Sequence, residues 1–243
     1  MGVAIVTGAS GAIGSAVCRV LSAQGEKIVA LDIVAPHVTG VEGLMMACDV
    51  TSRTEVRQAV EEAQDRFGAV TSLVNVAGVV SKGSVLSLTN SEFDRVMRIN
   101  VLGTLIPCQV VGQMMAEQGH GAIVNIGSVV GKNGGNARAW LDRSEIEVAG
   151  GVAYGMSKSA VHTLTFFLAK ELASFGVRVN GVAPGPIGTA MTDTFPDNLR
   201  ALIPLGRMGR PEEVANVVSF LLSAQASFIC GEIIDVNGAL WCD

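Results

Sequence analysis

Thr7-Gly8-Ala9-Ser10-Gly11-Ala12-Ile13-Gly14 stands between a short β-branched run, Val3 to Thr7, and a helical pattern from Ile13 to Gln24, after which a second apolar run, Ile28 to Asp32, follows. A strand, a glycine-rich turn and a helix leading back to a strand form a βαβ unit, whose right-handed crossover makes the two strands parallel. The alternation continues along the chain. Strands are predicted at Leu44 to Cys48, Leu73 to Ala77, Ile123 to Gly127, Val177 to Ala183 and Ile233 to Val236, and helices at 53–67, 91–117, 152–174 and 211–223. Continuous apolar strands between helical patterns imply a doubly wound parallel β-sheet flanked by helices on both faces, with its ligand crevice at the carboxyl ends of the strands.

Composition agrees with that class. Of 243 residues, 49% are hydrophobic and 16% charged, as expected of elements buried on both faces. The 29 glycines accompany only 7 prolines and follow no triplet period, so they mark close backbone approaches rather than linker or collagen. No linker, repeat or low-complexity tract divides the chain, and a single domain is predicted. The net charge of −5 and the absence of a basic run argue against a nucleic-acid partner. No uninterrupted apolar stretch is long enough for a membrane span, and no leader or myristoylation pattern opens the chain, so a soluble, cytoplasmic protein is expected. Cys18, Cys48, Cys108, Cys230 and Cys242 have no metal-ligand or disulfide spacing and read as reduced thiols. His37 and His120 lack companion ligands, so no metal site is predicted.

Gly8, Gly11 and Gly14 let backbone approach a pyrophosphate, whose charge is met by the free N–H groups and positive dipole end of the helix that Ala12 and Ile13 open. Asp32 ends the second strand, 18 residues beyond Gly14, where its carboxylate suits ribose hydroxyls and repels a 2′-phosphate. With no Lys or Arg beside it or in the loop, NAD is preferred to NADP. Tyr154 and Lys158 are four residues apart, on one helical face. A neighbouring cation favours phenolate, so Tyr154 is expected to exchange a proton with an alcohol or ketone.

Together these motifs make the chain resemble a classical short-chain dehydrogenase/reductase, an α/β family with a single-domain Rossmann fold, from Val3 to about Gly238. The family's signature after the fourth strand is matched by Asn75-Val76-Ala77-Gly78, its helix-borne asparagine by Asn100, and its catalytic serine by Ser128, beside Tyr154 and Lys158. Pro184-Gly185-Pro186-Ile187-Gly188-Thr189 resembles the nicotinamide-side segment and Asp49-Val50 the pair that contacts adenine; Ser10, Ile33 and Met191 join the implied cofactor-binding set. The resemblance implies hydride transfer between a secondary alcohol or its ketone and NAD, with Tyr154 as general acid/base. Ser128 would bond the reacting oxygen, Lys158 would hold the nicotinamide ribose and lower the tyrosine pKa, and Asn100 would position a relay water. It also implies a homotetramer and a small-molecule substrate.

The chain departs from the family pattern in two places. Its loop reads Thr-Gly-x-x-Gly-x-x-Gly, as in the family's extended branch, but only 89 residues follow Tyr154, too few for that branch's substrate domain. Ser128 and Tyr154 are 26 positions apart, against roughly a dozen in the family, which implies an insertion at 131–151 beside the active site. Trp140 is expected to line or cover the substrate pocket with Ser128, Val129, Tyr154, Met191 and Phe195, beside Val79, Val80 and Leu199, under a lid at 189–208. Arg138, Arg143 and Arg200 read as solvated surface residues and His162 as a packing or interface residue. A 3-oxoacyl-thioester reductase of the same family, disfavoured by Asp32 because such reductases usually use NADP, and a catalytically silent NAD-sensing protein are the alternatives.

Overall fold

A computed structural model of the chain describes residues 2–135, 145–146, 151–188 and 200–242. Seven parallel strands form one sheet, ordered β3-β2-β1-β4-β5-β6-β7. The strands are β1 (Val3–Thr7), β2 (Lys27–Asp32), β3 (Gly43–Ala47), β4 (Val70–Asn75), β5 (Gly121–Ile126), β6 (Val177–Pro184) and β7 (Ile233–Val236). The helices are α1 (Ala12–Ala23), α2 (Arg53–Phe67), α3 (Asn90–Met97), α4 (Gly103–Gln118), α5 (Val130–Asn133), α6 (Val152–Leu172) and α7 (Pro211–Leu222). Strand side chains alternate between faces. In β1, Val3 and Ile5 join a core with α2, α4 and α6 residues such as Val56, Met115 and Leu168. Ala4 and Val6 join the opposite core with Val17 and Leu21 of α1 and Val218 and Leu221 of α7. Strand order reverses between β1 and β4, opening the crevice where this class of sheet takes ligands.

The helix predicted over 91–117 is interrupted. Between α3 and α4 lies a π-helical turn, Arg98–Leu102. Pro107, inside α4, has no N–H to donate to the carbonyl four residues earlier, and the Thr104 hydroxyl donates to the Asn100 carbonyl at 2.8 Å. The span Asn90–Gln118 is long and apolar enough to cross a membrane, but half of its apolar window is buried within the fold. Strand β4 ends at Asn75, two residues before the predicted limit. The reason lies in Thr7, whose buried hydroxyl accepts the N–H groups of Val76 and Ala77 at 3.1 and 3.3 Å and turns them out of the ladder.

Thr7 thereby joins the carboxyl ends of β1 and β4. Thr7→Val keeps the shape and removes the acceptor from both N–H groups. A loss of about 2 kcal/mol in unfolding free energy is expected from urea denaturation, and an unchanged midpoint would show that the two N–H groups find other acceptors.

Candidate active site

Gly8 turns the chain out of β1 at φ +65°, and a Cβ there would lie 2.6 Å from the Ala77 nitrogen. Gly14 faces the Gly8 carbonyl so closely that a Cβ would lie 2.2 Å from its oxygen. At Gly11, the N-cap of α1, the nearest atom to an added Cβ is the Gly8 oxygen at 3.3 Å. No side chain caps α1 and no acidic residue occupies its first turn, so its positive end, at Ala12, Ile13 and Gly14, is left to an anionic ligand. Asp32 closes the far rim: its carboxylate accepts the Ser10 N–H at 2.9 Å and the Ile33 N–H at 2.8 Å. Ile33 is exposed beyond it. Asp49 accepts both the N–H and the hydroxyl of Thr51 at 2.8 Å, and Val50 is buried against Gly103. An adenosine end reaching past Asp32 would meet this group.

Asn75 takes a different place. Its buried side chain donates to Asn125 Oδ1 at 2.9 Å and Cys108 Sγ at 3.2 Å, within the core rather than the crevice. Ala77 and Gly78 carry the chain past it to the crevice. A Cβ on Gly78 would stand 3.2 Å from Asn100 Oδ1 and 3.6 Å from Lys158 Nζ, so this glycine lets the backbone pass between the two. Pro184 ends β6, Gly185 packs on Asn237, and Ile187 is buried and bridged to Gly209. Thr189, Met191, Phe195, Leu199, Trp140, Arg138 and Arg143 lie outside the described residues. Arg200 begins the described stretch that follows; Val79 and Val80 are half-buried in the loop after β4, and Val129 is buried in the turn after β5.

Tyr154 occupies the first turn of α6. Gly151, the N-cap, has φ +105° and donates to the Gly83 carbonyl at 3.0 Å. Lacking a capping side chain of its own, the helix takes one from a distant loop: Ser81 Oγ accepts the Tyr154 N–H at 3.2 Å. Asn100 is fully buried and its side chain is committed: it donates to the Val79 carbonyl at 2.9 Å and to Ser157 Oγ at 2.8 Å, and accepts the Val79 N–H at 2.8 Å. It thus fixes the Gly78–Val79 backbone against α6. Ser81 and Ser157 were not legible as site residues, although Ser157 stands inside the Tyr154-to-Lys158 motif; nothing in the sequence marks Ser81.

The Ser128 hydroxyl accepts the Val130 N–H at 3.2 Å, which leaves its proton for Tyr154. Lys158 is buried, its Nζ donating to the Ile126 carbonyl at 2.7 Å and lying 5.7 Å from the centroid of the Tyr154 ring. Desolvation pulls its ammonium from 10.5 down to about 8. Burial raises the Tyr154 phenol above its ordinary value, against the opposing hydrogen bond from Ser128. The expected lowering of the tyrosine pKa is therefore not the net result, because Tyr154 is buried and Nζ is turned to Ile126. Among the described residues no group of three or more His, Cys, Asp or Glu gathers as a metal would require.

Comparison with known proteins places this geometry. A family profile described as enoyl-(acyl carrier protein) reductase matches residues 8–240. The 3-oxoacyl-[acyl-carrier-protein] reductase of Thermotoga maritima is 35% identical, the alignment covering 98% of this chain and 97% of the relative. Carbonyl reductase family member 4 of Danio rerio is 37% identical over 98% of this chain and 97% of its own. The crystal structure of gox2181 is 32% identical and superposes with a TM-score of 0.88 over 98% of this chain and 95% of that one. The chain is a classical short-chain dehydrogenase/reductase. As a short-chain dehydrogenase/reductase it is an oxidoreductase of a family that binds a nicotinamide cofactor and acts on small molecules. The open helix end, the glycines and Asp32 fit such a dinucleotide.

Tyr154 is the one tyrosine in the chain, so its ionisation can be followed by ultraviolet absorbance without background. In the protein free of dinucleotide the phenolate band is expected to appear with a midpoint above 10, returning to about 10 in urea. Tyr154→Phe should abolish the band; a native midpoint below 10 would contradict the burial argument.

Proposed function

We propose that the chain is an NAD-dependent oxidoreductase that interconverts a secondary alcohol and its ketone, with Tyr154 as general acid/base. The observation that carries this reading is the convergence of Ser128 and Lys158 on Tyr154 at the carboxyl edge of the sheet, beside the uncapped end of α1. Gly8, Ser10, Gly11, Ala12, Ile13 and Gly14 would cradle the pyrophosphate, Asp32 and Ile33 the adenosine ribose, Asp49 and Val50 the adenine. Ala77, Gly78, Pro184, Gly185, Ile187, Thr189 and Met191 would border the nicotinamide half, and Asn75 would act only through its backbone. The nicotinamide, when bound, supplies the hydride acceptor for oxidation and the donor for reduction.

The chain's own residues manage the proton. In oxidation, Tyr154 Oη as phenolate takes the hydroxyl proton of the alcohol as hydride leaves the carbinol carbon; in reduction Oη returns a proton to the new alkoxide oxygen. Ser128 Oγ holds the reacting oxygen beside Oη. Lys158 would hold the nicotinamide ribose and, while it remains an ammonium, would favour the phenolate. Asn100 keeps Gly78 and Val79 in place between them; its side chain is committed and its carbonyl accepts the Thr104 hydroxyl, so a relay water would have to share that carbonyl.

The substrate would be covered by an insertion at 131–151, carrying Trp140, and a lid at 189–208, carrying Met191 and Phe195, over Val129. Asp32 supports NAD: its carboxylate already faces the Ser10 N–H at the ribose end and would repel a 2′-phosphate. The relatives' names support a second reading for the substrate, a 3-oxoacyl thioester. A homotetramer in the cytoplasm completes the proposal, supported by the exposed Phe166 and Phe167 on α6 and by thiols that are all unpaired.

Turnover should be followed at the NADH band with secondary alcohols and with acetoacetyl thioester as the ketone. NADH is expected to be used about tenfold or more better than NADPH, a margin that Asp32→Ser should erase; wild-type preference for NADPH would overturn the cofactor assignment. Tyr154→Phe should cost about 100- to 10,000-fold in kcat with dinucleotide binding retained, whereas binding without turnover on either substrate class would favour the NAD-sensing alternative.

A further inference from the structure

Tyr154 and Lys158 do not end their row on α6. His162 follows at the same spacing, one turn farther along the same face, and is 6% exposed. Its ring lies under the loop that carries Ser128. Nε2 is 3.3 Å from the Ser128 nitrogen and accepts its N–H. The backbone on either side is tied elsewhere: Gly127 donates to the Val182 carbonyl at 2.8 Å and Val129 to the Pro184 carbonyl at 3.0 Å, both on β6. The Ser128 N–H turns the opposite way, toward α6, and the imidazole meets it there.

The loop is shaped around this ring. A Cβ on Gly127 would lie 2.1 Å from Nε2 and 2.5 Å from Cδ2, and one on Gly131 would lie 3.1 Å from Cε1 and 2.8 Å from the Ser159 nitrogen. Neither glycine has a positive φ, so their backbone conformations suit any residue; the ring and α6 are what exclude a side chain. Two glycines flanking the Ser128 turn thus admit one histidine. Accepting at Nε2 also fixes the tautomer, with the ring proton on Nδ1.

We propose that His162 is a positioning residue for Ser128: by accepting the Ser128 N–H at Nε2 it sets the orientation in which the Ser128 hydroxyl, taking the Val130 N–H, sends its proton to Tyr154. This role rests on the catalytic reading of Tyr154 given above. It is a specific hydrogen-bonding role, distinct from filling space between α6 and the sheet, and the two differ in what a substitution does. His162→Gln supplies an acceptor at similar reach, whereas His162→Met fills similar volume and withholds it.

The test uses the full chain. Ultraviolet titration of Tyr154, which needs no substrate, is expected to show the phenolate midpoint raised by about half a pH unit or more in His162→Met, because the hydrogen bond that favours phenolate is weakened, and restored in His162→Gln. With NADH and acetoacetyl thioester, kcat should fall about tenfold in His162→Met with KM for NADH unchanged, and His162→Gln should recover it within about twofold. Equal effects of both variants on melting temperature, with the Tyr154 midpoint unmoved in both, would reduce His162 to packing. Should the variants fail to fold, the wild-type protein decides: its three histidines can be resolved by nitrogen-15 NMR, and His162 protonated at Nε2 would overturn the proposal. Absence of turnover in the wild type would refute the catalytic reading and leave the titration and the tautomer to judge His162.

Discussion

At Gly8 the turn out of β1 comes closer to Ala77 than any side chain would allow, and the crevice depends on that approach. Drawn together there, the carboxyl ends of β1 and β4 set the open end of α1 on one side and Gly78 on the other. The Thr7 hydroxyl completes the junction from beneath by taking two N–H groups that a strand would otherwise keep. The glycine loop at the start of α1 and the Ala77–Gly78 backbone both hang from this seam, and so does the distance between them. Glycine is needed here for closeness to a neighbouring backbone as much as for its positive φ.

A second layer of order lies in buried polar side chains between the sheet and its helices. Asn75, Asn125 and Thr165 form a chain of hydrogen bonds across β4, β5 and α6, ending on the Val161 carbonyl. Asn100 and Ser157 form another from the π-helical turn to the carbonyl of Tyr154. Apolar packing alone tolerates a helix that slides or rotates by a fraction of a turn; directional bonds in a low-dielectric interior penalise it, since each displaced donor is left without a partner. These chains hold α6 where Tyr154 and Lys158 face the crevice.

What the sequence disclosed follows the range of the interaction involved. The β1–α1–β2 unit was legible because alternation, glycine spacing and Asp32 are local, and the Tyr154–Lys158 pair because four residues make one helical turn. The break between α3 and α4 was not, since it reflects Thr104 and Pro107 acting together with the tertiary bonds of Asn100 to Val79 and Ser157. Ser81 is 73 positions from the N–H it caps, and serine in a loop is too common to announce such a bond. Asn75 belonged to a recognisable motif, yet its side chain was free to serve core or crevice; the partners offered by Asn125 and Cys108 decided for the core.

The wide turn at Arg98–Leu102 has a consequence for how such a chain tolerates change. A π-helical turn accommodates one residue beyond what a regular helix requires. Deleting any residue within it would let the ladder close into a continuous α-helix, a locally favourable outcome. It would leave α3 and α4 nearly in phase but remove the bulge from which Asn100 reaches Val79 and Ser157. The fold could survive the loss, but the alignment of Gly78 with α6 could not, so this stretch is one where a shorter helix and a working crevice are incompatible.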